Sequence, residues 1–192
     1  MSIVRTVAPD VEPVALEDAK AHLRVDHGDE DGLISGLIAA AVAHFDGLGI
    51  LGRAMVTQTW AQSFQYTRTW ERLEVGPFKS LVSVEYYNAG NQLQTADVAD
   101  FETRLSGDHV IIGPKINAAW PSIYSRPDAV KVTYVAGYGD TAADVPASVR
   151  QAILLTVGHW YENREAVTEG VYTALPMAVD SLIGAERVGW YG

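Results

Sequence analysis

The chain has no cysteine, which removes disulfides, thiolate nucleophiles and cysteine-ligated metals in one stroke. It also lacks any cluster of basic residues. Fourteen Lys and Arg stand against 24 Asp and Glu, and the formal net charge is −10. A protein that grips nucleic acid needs a basic patch to displace counterions from phosphates. This surface suits DNA that slides past without sticking, and a solubilising charge explains the same number. No stretch approaches the ~20 apolar residues of a membrane span. The opening Met1-Ser2-Ile3-Val4-Arg5-Thr6 lacks the apolar core of a signal peptide. The expectation is a protein made in the cytoplasm, with no membrane partner.

What remains is an ordinary globular composition, 48% hydrophobic over 192 residues. That length fits one domain, or one domain with a sizeable insertion, and needs no disulfide or metal staple. Three blocks follow one another. The first, residues 1–53, is helical. Leu16 to Leu23 reads as a short helix opened by Pro13 and closed near Asp26-His27-Gly28. Asp29-Glu30-Asp31 then supplies an N-cap and an acidic first turn. Leu33, Leu37, Ala40, Ala41, His44 and Leu48 follow at helical spacing, with Ile34, Ile38 and Phe45 widening the stripe. This predicts an amphipathic helix of about four turns, ending near Gly47 and Gly49.

The second block, residues 54–139, changes period. Val56 to Phe64, Leu81 to Tyr87 and Ala129 to Val135 are rich in β-branched and aromatic residues. Asn88-Ala89-Gly90-Asn91 is a hairpin signal, and Ser106-Gly107-Asp108 between Phe101–Leu105 and Val110–Ile112 is another. About half a dozen short strands in a small antiparallel sheet or sandwich are expected. The third block, residues 140–192, opens on a helix with Pro146 in its first turn. Val149, Ile153, Val157 and Trp160 share its apolar face. A polar stretch follows, then a short run from Pro176 through Ile183 and a glycine-punctuated tail, Arg187-Val188-Gly189-Trp190-Tyr191-Gly192.

The sequence offers little catalytic chemistry. Gly137-x-Gly139-x-x-Ala142 follows a strand and precedes a helix, as a dinucleotide fingerprint does. In that motif the helix must start at the glycines so that its N-terminus meets the pyrophosphate. Here Asp140 to Val145 intervene, so the pattern reads as a strand-to-helix turn. An EF-hand built on Asp26, Asp29, Glu30, Asp31 and Gly32 would put its first ligand on His27 and its last on Ile38. A capping cluster fits these acids better. None of His22, His27, His44, His109 and His159 makes an HExxH pair or flanks a nucleophile elbow. No catalytic residue, metal site or cofactor is therefore assigned.

The order of segments resembles the phage head–tail connector, or adaptor, family. The resemblance runs through Pro13-Val14-x-Leu16-x-x-Ala19-Lys20-x-His22-Leu23-Arg24-Val25-Asp26 and Asp29-Glu30-Asp31-x-Leu33-Ile34. It continues in Thr57-Gln58-Thr59-Trp60, Trp120-Pro121, Val132 to Gly139, Val145-Pro146 and Gln151 to Leu155. It closes on His159-Trp160-Tyr161-Glu162-Asn163-Arg164-Glu165. Ala15 departs from it, standing where a capping Thr or Ser is common.

The resemblance implies an α+β fold, in which N- and C-terminal helices form a core that holds an inserted antiparallel β-rich domain. It implies a non-enzymatic virion protein of a phage neck, or of a gene-transfer-agent-like particle. About twelve copies would form a ring below the portal protein, a shape that closed head-to-tail interfaces produce. DNA would pass through the channel without specific binding, and a stopper or tail-terminator protein would follow on the tail side. Trp160, Tyr161, Glu162 and Arg164 are then expected in core and ring assembly, and Arg187, Val188, Trp190 and Tyr191 in portal binding. A hydrolase, or a β module that binds carbohydrate or a protein partner, is the competing reading of the same residues.

Overall fold

The structure is a computed structural model and describes residues 1–65, 69–163 and 177–187. It contains helices and antiparallel sheets, so the expected α+β class is borne out. The chain divides into two compact units. One holds residues 1–10 and 57–137, the other residues 11–56 and 138–192.

The first unit is all β. Its strands are β1 (Ser2–Val7), β2 (Gln58–Phe64), β3 (Glu71–Leu73), β4 (Phe78–Tyr87), β5 (Leu93–Ala96), β6 (Phe101–Ser106), β7 (His109–Pro114) and β8 (Val130–Ala136). They form a five-stranded sheet in the order β1-β2-β8-β4-β5 and a three-stranded sheet in the order β3-β7-β6. Strands β2 and β8 pair from Gln58↔Ala136 to Phe64↔Val130, and both alternate strictly between buried and half-buried positions. That is the period of a sheet with one enclosed face.

Two polar side chains of the enclosed face, Gln62 and Tyr134, are bonded to the segment that follows β3 and its neighbours. Gln62 donates its amide to the Arg72 carbonyl (2.8 Å) and accepts from the Glu74 amide (3.0 Å). The Tyr134 hydroxyl accepts from the Val75 amide at 3.2 Å, and burial holds that phenol well above its ordinary pKa. These bonds fix segment 72–75 over the sheet, because a buried amide left unpaired costs about 1–3 kcal/mol.

Both expected hairpins form. Asn88 Oδ1 accepts from the Gly90 and Gln92 amides (3.0 and 3.1 Å), closing the turn between β4 and β5. Gly107, at φ 60°, and Asp108 join β6 to β7. Two strands escaped the sequence reading. The sequence pattern places residues 1–53 in the helical block, yet Ser2–Val7 is a strand paired antiparallel to β2. Ser2 to Val7 does not alternate, and its partner lies more than fifty residues away, so no local pattern marks it. Strand β3 is three residues long, too short to show a period.

The second unit contains α1 (Leu16–Leu23), α2 (Asp31–Phe45), α3 (Ala147–Glu162) and α4 (Met177–Ile183). Its core joins Ile34, Ile38 and Phe45 of α2 to Val149, Ile153 and Val157 of α3, with Val179 and Ile183 of α4. Each such side chain contributes about 1.5–3 kcal/mol when fully enclosed.

The buried stripe of α2 is narrower than the expected one. Ile34, Ile38, Ala41 and Phe45 face the core, while Leu33 is 39% exposed and Leu48 56% exposed; Ala40 and His44 are also exposed. Apolar residues surround this helix almost completely, so periodicity could not separate two stripes one position apart. The helix stops where expected. Gly47 has φ 57°, and a Cβ on Gly49 would lie 2.4 Å from the His44 carbonyl oxygen.

The acids before α2 do not cap it. Glu30 occupies the N-cap position without a side-chain cap bond. Its carboxylate instead accepts from the Tyr161 hydroxyl, and Asp31 pairs with Lys20 at 2.6 Å. Tertiary partners outcompeted the local helix end for these charges.

Candidate functional site

The sequence singled out two groups of residues, the end of α3 and the tail after α4. At the first, Tyr161 donates to Glu30 and so ties the last turn of α3 to the start of α2. Trp160 was expected inside the core. It is half-buried, packed against the cluster, with its ring edge-on to His44 at 6.3 Å between centroids. Its position in the last turn carries it past Val157, where the core closes. Glu162 is exposed. Asn163 ends the helix, giving its backbone N–H (3.1 Å) and side-chain amide (2.8 Å) to the His159 carbonyl. Arg164 lies outside the described residues.

At the second group, α4 buries Val179 and Ile183 in the helical core. The Glu186 and Arg187 amides then both return to the Ile183 carbonyl, at 2.9 and 3.0 Å. The Glu186 carbonyl accepts from Arg53 Nε at 2.7 Å, and its carboxylate accepts from the Tyr138 hydroxyl at 2.7 Å. Burial, and then the Glu186 carboxylate, push the Tyr138 phenol well above its ordinary pKa. Residues up to Arg187 are therefore held on their own subunit. Val188, Trp190 and Tyr191 lie outside the described residues.

The remaining chemistry resolves into structural roles. A Cβ on Gly139 would fall 2.2 Å from Asp144, whose carboxylate accepts from the Thr141 amide (2.9 Å) and hydroxyl (2.8 Å). The glycine pattern thus makes room for a capping box at the strand-to-helix turn, and these bonds depress the Asp144 pKa. In the β unit a cleft of about 350 Å³ is lined by Phe64, Trp70, Glu71, Arg72, Glu74 and Ile111. Its cation is engaged, since Arg72 pairs with Glu74 at 2.9 Å. Among the described residues no group of three or more His, Asp or Glu side chains could hold a metal ion, and no helix is long and apolar enough to cross a membrane.

Residues 13–69 match the family model of the phage gp6-like head-tail connector protein. The resemblance read from the sequence is borne out there. A chain from the neck of an empty GTA particle, determined with C6 symmetry, superposes with a TM-score of 0.79 at 20% identity. The alignment covers 97% of this chain and 95% of that one. The fold is shared with chains of the GTA neck. A chain from the virion of a native gene transfer agent (GTA) particle gives the same TM-score and coverage at 19% identity. One from the neck of a native GTA particle, with C12 symmetry, gives 0.70 at 16% identity over the same shares. No curated protein is significantly similar to the chain.

Proposed function

We propose that this chain is a structural, non-catalytic head–tail adaptor in the neck of a tailed phage or gene-transfer-agent-like particle. About twelve copies form a ring below the portal protein, extend the DNA channel and pass it to a stopper or tail-terminator protein. The observation that carries this reading is the fold likeness to GTA neck chains over 97% of the length. The connector match over residues 13–69 supports it. A net charge of −10 suits a channel wall that repels the phosphate backbone. In this reading the helices from both ends of the chain are the core, and the β unit is an insertion. Trp160, Tyr161, Glu162 and Arg164 serve core and ring assembly, and Val188, Trp190 and Tyr191, with Arg187 at their base, reach the portal.

The test is association with the portal. Full-length protein mixed with recombinant portal is expected to elute as one large species by light scattering, and to show a ring under the portal by electron microscopy. A mixture that stays resolved into free portal and free subunit at all concentrations would overturn the proposal.

A further inference from the structure

The five-stranded sheet ends in two strands with unusual edges. Among the described residues nothing lies beyond β1 or beyond β5 in its strand order. An edge strand offers a row of backbone N–H and C=O groups to another chain, and proteins that avoid this place lysine, proline or inward charges there. Strand β5, Leu-Gln-Thr-Ala, has none of these, and β1 has only Arg5. All of β1 except Ile3 is exposed, as are the first three residues of β5.

The two edges also match each other. Pairing runs antiparallel from β1 to β2, β2 to β8, β8 to β4 and β4 to β5. Four reversals leave β1 and β5 pointing the same way. Register then fixes which side chains share a face. Val4 lies opposite Ala61, on the face away from buried Trp60 and Gln62. Leu93 and Thr95 lie opposite Tyr87 and Glu85, on the face away from buried Val84. Glu85 in turn faces Lys131, and Lys131 faces Ser63, which places them on the Val4 side of the sheet. Val4 is 59% exposed and Leu93 52% exposed. Each end of one sheet face therefore carries an apolar side chain beside an open edge.

We infer that β1 of one copy pairs in parallel with β5 of the next, so that the five-stranded sheets run on from subunit to subunit with Val4 against Leu93 or Thr95. This rests on the ring reading above and names one of its contacts. The pairing is head-to-tail, using two different edges of one molecule, and it repeats from copy to copy as a ring requires. Self-pairing of β1 with β1 would be antiparallel and would stop at two copies. The register shift between Arg5 and Val7 confines the contact to Ser2–Arg5.

The native chain has no cysteine, so engineered thiols report this contact without background. Full-length Val4→Cys protein is mixed under mild oxidation with Leu93→Cys or Thr95→Cys protein, with portal present. Disulfide-linked dimers are expected in the mixtures and in neither single variant, because only β1 and β5 of different copies meet. Linked dimers of Val4→Cys alone would overturn the head-to-tail pairing. Rings visible by electron microscopy without any cross-link in either mixture would overturn the contact and leave the ring standing. Absence of rings on the portal with unmodified protein would overturn the ring itself. A Val4→Lys chain, altered only at an exposed position, is expected to keep its melting temperature while losing ring formation. Retention of normal rings by that variant would also count against the contact.

Discussion

The Tyr138 hydroxyl donates to the Glu186 carboxylate at 2.7 Å, pinning the segment just after α4 to the second residue after β8. A hydrogen bond to a charged acceptor is worth about 1.5–3 kcal/mol. Tyr138→Phe should therefore lower the unfolding free energy by up to that amount, read from urea denaturation. If stability is unchanged, the contact does not hold the chain.

Alkaline pH should act on the same bond and on Tyr134. Burial raises both phenols above their ordinary value of about 10. The folded state then keeps protons that the unfolded chain gives up. Stability from these groups is fully present below pH ~10 and is lost as pH climbs toward the folded values. Melting temperature should fall steadily above pH ~10, and tyrosinate absorbance at 295 nm should show phenols that titrate late. Tyr138→Phe should remove part of that late titration.

The face of α2 can be checked by substitution. Phe45→Ala opens a void in the helical core and should cost about 3–5 kcal/mol. Leu33→Ala and Leu48→Ala, on the exposed side, should stay within about 0.5 kcal/mol in the free subunit. Trp160→Ala should fall well below the ~3–5 kcal/mol of an enclosed ring, because Trp160 is only half-buried. Equal losses at Phe45 and Leu33 would refute the assigned face.

Gly139→Ala should disrupt the turn into α3. Its Cβ would meet Asp144 at 2.2 Å and break the capping box with Thr141. Losing such a cap costs about 0.5–2 kcal/mol, with steric strain added. Asp144→Ala removes the cap without the clash and should cost less. Unfolding curves of the two variants would show the difference.

The portal contact is tested by truncation. Removing residues 188–192 leaves Arg53, Tyr138 and Glu186 in place, so the shortened chain should melt as the full one does. It should no longer associate with portal on a sizing column. Undiminished binding would move the contact to the helical face.

Much of this fold was legible because its patterns are local. Leu16–Leu23 matches the sequence expectation to the residue, and strands β2 and β8 carry the two-residue period that one buried face imposes. The Asn88 and Gly107 turns announce themselves through residues that tolerate positive φ or close their own backbone. What stayed hidden depends on distant partners. Strand β1 exists because Ala61 and Gln62 pair with it. Glu30 serves Tyr161 rather than its own helix, and nothing near Glu30 in the sequence points to residue 161. The sequence marks a wider stripe on α2 than the buried one because Leu33 and Ile34 are equally apolar, and only α3 and α4 choose between them. Of the proposed portal and ring residues, the sequence flagged Trp160 and Tyr161 by spacing and resemblance. It missed Arg53, Tyr138 and Glu186, which hold the tail's base, since three residues so far apart form no motif.

The position of α2's partner has a cost during synthesis. Phe45 leaves the ribosome about a hundred residues ahead of Ala147, the first residue of α3. At roughly 5–20 residues per second, α2 waits on the order of 5–20 s for the helix that covers Ile34, Ile38 and Phe45. Over that interval the nascent chain carries an apolar helix without α3 and α4, while most of the β unit is made downstream of it. Aggregation on overexpression should therefore track translation speed between residues 46 and 147 more closely than it tracks the stability of the finished protein.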